Sequence, residues 1–174
     1  MKQSTNPTNP TSRRRAERTT YDRALDLLEA RARSVVELRR MLSRKGEPAA
    51  DVDAAIERLQ TAGLLDDANY ARQLARSKAL NAGQSRRRIG QELAKRGVAR
   101  TVADVAITEV FAEEAVDESG NIERAAHKKM KTLSGLDAPT QRRRLYAFLA
   151  RRGYDAEAIG RIVTRLAGDE ASAH

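Results

Sequence analysis

Arginine and lysine are the residues of this chain whose types and spacing point to chemistry. Arg86, Arg87 and Arg88 precede Gly97, and Arg142, Arg143 and Arg144 precede Gly153 in the same register. Basic pairs stand immediately before three glycines: Arg44 and Lys45 before Gly46, Lys95 and Arg96 before Gly97, Arg151 and Arg152 before Gly153. Arg39 and Arg40, together with Arg44 and Lys45, are the weaker candidates of the set. Cations at helical intervals are donors for phosphate, and contacts of that kind follow a nucleic-acid backbone without reading its bases.

Catalysis would need a different constellation, and none is found. His127 stands beside two lysines and reads as part of a solvated helix face, while His174 is the last residue. Asp66 and Asp67 are paired carboxylates, but their place after Gly63-Leu64-Leu65 and before a helical pattern reads as N-capping. There is no phosphate-binding loop, glycine-rich dinucleotide motif or nucleophile elbow. We therefore expect no enzyme activity, catalytic residue, metal or cofactor. With no cysteine, disulfides and thiolate metal sites are excluded, and a reducing cytoplasm is the expected setting. No apolar run approaches the length of a membrane span, and no signal-like segment follows Met1.

The elements that must carry these cations are written three times, as LRRMLSRKG (Leu38 to Gly46), IGQELAKRG (Ile89 to Gly97) and LYAFLARRG (Leu145 to Gly153). Each copy has an apolar residue eight and four positions before its glycine. Beyond the glycine, Ile56, Ile107 and Val163 correspond, as do Leu59, Val110 and Leu166. These spacings are helical, and glycine is suited to the left-handed residue that ends a helix. Leu42, Leu93 and Leu149 should be buried equivalents. A unit of roughly fifty residues with two apolar rows must stack on its neighbours. The expected fold is all-α, with about nine helices in three tandem three-helix repeats stacked into an elongated, curved array.

Local signals set the expected boundaries. Residues 1–18, rich in proline and arginine, read as a disordered basic tail, open equally to nucleic-acid contact and to a purely solubilising role. Repeat 1 spans 19–65, with a Ser34/Glu37 capping box, Pro48 at a helix start and Gly63 at its end. Repeat 2 spans 66–116, with a helix through about Leu80, a turn at 81–83, a basic helix from Ser85 to Arg96 and a third helix opened by Thr101 and Asp104. Residues 117–121 (DESGN) read as a linker. Repeat 3 spans 122–168, with Asp137 and Pro139 as start signals, and 169–174 should fray.

Net charge is +9, and it is unevenly placed. The segment leading to each repeat glycine is basic and the segment following it is acidic. The arginine triplets fall in what read as first helical turns, where positive charge opposes the helix dipole by roughly 0.3–1 kcal/mol per residue. That placement points to a partner rather than to stability. The basic pairs in the last turns have an equally good structural reason, since cations there complement the dipole. Arg88 and Lys95, and Arg144 and Arg151, stand seven apart and should form stripes. Base stacking should contribute little, because the six aromatic residues include several expected in the core. A sequence-reading helix-turn-helix regulator would carry its positive charge on the helix after the turn, which here is acidic.

The stretch from Gly63 to Ala71 (GLLDDANYA), followed by Arg86 to Gly97 (RRRIGQELAKRG), resembles the RecX family, the regulators of the RecA recombinase, over about residues 21–167. Glu47 and Ala82 depart from the pattern, where an apolar and an aromatic residue are usual. The resemblance implies a non-enzymatic modulator that lodges along the groove of the RecA–DNA filament. It further implies inhibition of strand exchange, ATP hydrolysis and coprotease activity in recombination, DNA repair and the SOS response. DNA, single- or double-stranded and of any sequence, would be a second partner, and a monomer is expected. The alternative is a general nucleic-acid-binding or scaffold repeat protein.

Overall fold

A computed structural model describes residues 18–171, with side chains through 166, so that all of the expected tail except Arg18 lies outside the described residues. Among the described residues there are nine α-helices and no strand. They are α1 (Thr20–Ala30), α2 (Val35–Arg44), α3 (Ala49–Thr61), α4 (Asp67–Leu80), α5 (Arg86–Lys95), α6 (Arg100–Glu113), α7 (Glu118–Lys131), α8 (Ala138–Arg151) and α9 (Ala156–Ala171).

Two compact units divide the chain between Asp67 and Ala68. In the first, α1 to α3 close on Ala24, Leu38, Leu42, Val52, Ile56, Leu59 and Leu65. The second holds two cores, one from α4 to α6 around Ile89, Leu93, Ile107 and Val110, the other from α7 to α9 around Leu145, Leu149, Ile159 and Leu166. Leu42, Leu93 and Leu149 are each fully buried, as the repeat register requires.

The local devices are those that helix physics selects. Thr19 with Asp22 and Ser34 with Glu37 form reciprocal capping boxes at α1 and α2. Ser85 caps α5, Asp117 caps α7 and Asp137 caps α8, with proline in its first turn. Gly46, Gly97 and Gly153 take φ values of +83°, +80° and +89°, the left-handed turn that joins the second and third helix of each repeat.

Several expectations are corrected. Residues 117–121 are not a linker: Asp117 accepts the backbone N–H groups of Ser119 and Gly120 and starts α7 at once. Thr101 does not open α6, which begins one residue earlier after Ala99, without a side-chain cap. Asp67 does not cap its own helix; its Oδ1 accepts the Val35 N–H at the start of α2 at 2.9 Å, and burial raises its pKa. The last helix continues past Gly168 to Ala171. Most consequential, α8 is four residues longer than α5, so Arg142 to Arg144 lie in its second turn rather than its first.

Glu47, the departure from an apolar residue, is matched by its surroundings. Its side chain is only 7% exposed, takes a 2.6 Å hydrogen bond from the Thr20 hydroxyl, and pairs with Arg23 at 2.5 Å. The Thr20 hydroxyl and Arg23 together outweigh burial and hold the carboxyl below the ordinary glutamate range.

Candidate nucleic-acid interface

The two arginine triplets, equivalent in sequence, have different surroundings. At the start of α5, the Arg87 guanidinium donates to the carbonyls of Gly153 and Tyr154 at 3.0 and 3.2 Å. Arg86 stacks over Phe111 at 4.1 Å, and its backbone N–H and guanidinium both meet Glu118, at 3.2 and 3.9 Å. Arg88 is half-buried, with its Nε enclosed and without a hydrogen-bond partner. The first turn of α5 thus sits against the α8–α9 turn. There the Ser85 N–H donates to the Arg152 carbonyl at 3.0 Å, Arg152 Nε donates to Ala82 O at 2.9 Å, and Tyr154 Oη donates to Gly83 O at 2.9 Å. Burial pushes the Tyr154 phenol up to about 12. A Cβ on Gly153 would lie 2.5 Å from both Arg88 Cβ and Ser85 Oγ, which is why only glycine fits.

Positive charge at this helix start therefore has an internal use: two carbonyls of the α8–α9 turn receive the Arg87 guanidinium from the start of α5. Composition and spacing within one repeat carry no trace of that exchange, because its partners lie more than sixty residues apart.

On α8 the situation is reversed. Arg142, Arg143, Arg144 and Arg151 are exposed and make no hydrogen bond or ion pair among the described residues. Arg143 and Arg144 act on one carboxylate, Asp137, whose pKa is lowered first by its Thr140 hydrogen bonds and then by these two arginines. Arg144 and Arg151, seven positions apart on α8 and both exposed, share one flank of the helix. On α5 the corresponding stripe is interrupted, since Arg88 is half-covered while Lys95 is exposed and unpaired.

The basic pairs divide similarly. Arg96 donates to Tyr70 Oη at 2.9 Å and to Glu92 at 3.0 Å. Burial alone would raise the Glu92 pKa, but Lys78 and Arg96 reverse that and hold it low. Arg152 lies over Phe148 at 4.0 Å with Lys129 on the same ring at 5.6 Å. In the first unit Arg39 pairs with Asp53 across α2 and α3, while Arg40, Arg44 and Lys45 are exposed.

Two contributions were not foreseen. Lys128 and Lys131 add exposed cations at the end of α7, where the Lys128-Lys129 pair in the sequence was the available signal. Tyr146 is 43% exposed beside Arg142 and Arg143, and nothing in a one-dimensional pattern separated it from the aromatics that are packed. Among the described residues no group of histidine, cysteine, aspartate and glutamate is placed to hold a metal ion.

Comparison with known proteins accounts for all three repeats. Family models for the first, second and third three-helix domains of RecX match residues 21–59, 66–107 and 117–163. The regulatory protein RecX of Mycolicibacterium vanbaalenii is 37% identical over 143 residues, covering 80% of this chain and 78% of that protein. The RecX of Pelodictyon phaeoclathratiforme is 35% identical over 136 residues, covering 78% of this chain and 81% of its own. Among solved structures, RecX from Lactobacillus salivarius superposes with a TM-score of 0.66 at 20% identity, covering 84% of this chain and 94% of that one. A second RecX crystal structure gives 0.69 at 21% identity, covering 87% and 74%.

Proposed function

The chain belongs to the RecX family of regulatory proteins, and from that premise we propose that it is a non-enzymatic inhibitor of RecA that binds along the groove of the RecA–DNA filament. In that position it lowers ATP hydrolysis, strand exchange and coprotease activity. The observation that carries the reading is the set of exposed, unpaired cations on α8: Arg142, Arg143, Arg144 and Arg151. Four guanidinium groups that no hydrogen bond or ion pair engages are donors in search of an acceptor, and a strand of phosphates supplies acceptors at regular intervals. Lys95 on α5 extends the donor set. Arg86, Arg87, Arg96 and Arg152 act on this reading mainly by holding the frame that presents the others. Arg40, Arg44 and Lys45 are the secondary contacts.

Binding of this type follows the backbone whatever its sequence, and one copy of the chain is the acting unit. The cytoplasm, where RecA and DNA meet, is the proposed setting; among the described residues no helix is long and apolar enough to cross a membrane.

The test is RecA turning over ATP on single-stranded DNA. The parent protein should inhibit at amounts well below those needed to cover the strand. Replacing Arg142, Arg143 and Arg144 together with alanine should weaken inhibition without lowering the melting temperature. Inhibition by the parent only near strand-covering amounts would favour a general nucleic-acid binder, and unchanged inhibition by the triple variant would reject the role of these arginines.

A further inference from the structure

Six aromatic side chains are present, four tyrosines and two phenylalanines, and all lie among the described residues. Five are engaged by the chain itself. Tyr21 lies under Arg58, Phe111 under Arg86, and Phe148 under Lys129 and Arg152. Tyr70 accepts a hydrogen bond from Arg96, and Tyr154 donates to Gly83. Tyr146 is the exception among the described residues: it has no hydrogen bond and no cation over its ring, and it is 43% exposed.

Its neighbours are as specific as its exposure. Residues three and four apart share a helix face, so Arg142 and Arg143 stand one turn before Tyr146 and Ala150 one turn after. Both arginines are exposed and unpaired, and Ala150 is exposed and too short to cover the ring. In repeat 1 the corresponding residue is Arg39, which reaches Asp53 across the helix pair. In repeat 3 the position matching Asp53 is Gly160, a mid-helix glycine whose missing Cβ would meet nothing within 4 Å. Where the first repeat closes its helix pair with an ion bridge, the third offers a ring and an open space. Glycine inside a helix is destabilising relative to alanine, and no packing contact requires it here.

We propose that Tyr146, Arg142 and Arg143 form a platform for single-stranded DNA, with one base stacked on the tyrosine ring and the flanking phosphates held by the two guanidinium groups. The inference rests on the reading of α8 as a DNA-facing helix and narrows its ligand to the single strand. Bases in a duplex are already stacked on one another and present only their edges, whereas an unpaired base offers a face to the ring. Every base has such a face, so the platform tolerates any sequence.

Fluorescence anisotropy with a labelled oligothymidylate and with a blunt duplex of equal length, both without RecA, tests the proposal. Tyr146→Ala should weaken single-strand binding by about five- to hundredfold, the range expected for one stacked base, and leave duplex binding unchanged. Tyr146→Phe should retain the parent affinity, because the ring and not the hydroxyl makes the contact. Arg142→Ala with Arg143→Ala should weaken both ligands and reduce the salt dependence of each. Equal single-strand affinity for Tyr146→Ala and the parent overturns the platform, as does an equal loss on both ligands. The RecA assay is scored separately: a parent that binds single strands with the expected variant pattern but leaves RecA untouched supports the platform and overturns the filament reading instead.

Discussion

At the scale of single residues, two positions show how the same sequence signal carries different energetic weight. Gly46 and Gly153 are both left-handed turn glycines, but a Cβ would meet open space at Gly46 and would strike Arg88 and Ser85 at Gly153. Gly46→Ala should cost about 1–2 kcal/mol, the strain of the left-handed conformation alone. Gly153→Ala adds the clash, and the total should reach roughly 3–5 kcal/mol, read as the difference between two chemical denaturation curves. Glu47 carries a pH dependence of its own. Its folded-state pKa is depressed, so the stabilisation is complete above the ordinary glutamate value of 4.5 and is lost as pH falls through the lower folded value. Glu47→Gln should reduce stability at neutral pH on the order of 1 kcal/mol. It should also fall less steeply than the parent when thermal melts are compared from pH 5 to pH 3.

At the scale of elements, helix length separates the two arginine triplets. The first turn of α5 is docked on the α8–α9 turn, and its cations are used there; the longer α8 carries its triplet one turn further in, where dipole effects have decayed. Arg87→Ala should therefore lower stability by about 1–2 kcal/mol through the loss of its bonds to two carbonyls. Arg143→Ala should leave the melting temperature where it is. Equal effects from the two substitutions would contradict the assignment of one to the frame and the other to the surface. Each repeat also rests on its central leucine. Leu42→Ala, Leu93→Ala and Leu149→Ala should each cost about 2–5 kcal/mol, because all three side chains are fully enclosed. Circular dichroism melts matching the parent would show the register to be misassigned.

At the scale of the whole molecule, net charge of +9 favours polyanions without choosing among them. What selects a face is the distribution of paired and unpaired cations. Removing Arg142, Arg143 and Arg144 deletes three phosphate donors, which should flatten the slope of log affinity against log salt for single strands by about 2. Replacing Arg87 should leave that slope near its parent value, since its guanidinium is held by Gly153 and Tyr154. A slope changed equally by both would place the phosphates elsewhere.

The periodicity of apolar residues about Gly46, Gly97 and Gly153 determined the helical repeat, its turns and its core, because helix formation, burial and left-handed turns are governed by neighbours within a few positions. Local chemistry likewise determined the caps at Ser34 and Asp137. It misjudged residues 117–121, where small and polar residues served a helix start as readily as a linker. The same local reasoning located the cations of α5 and α8 but passed over Lys128 and Lys131 and treated the triplets as equals. Only the tertiary structure decided that Arg87 serves carbonyls from a distant turn, that Glu47 is matched by Thr20 and Arg23, and that Tyr146 stands open one turn after two exposed arginines. The physical reason is that a charge or a ring acquires its role from what the fold brings within a few ångströms of it, and those partners lie tens of residues away along the chain.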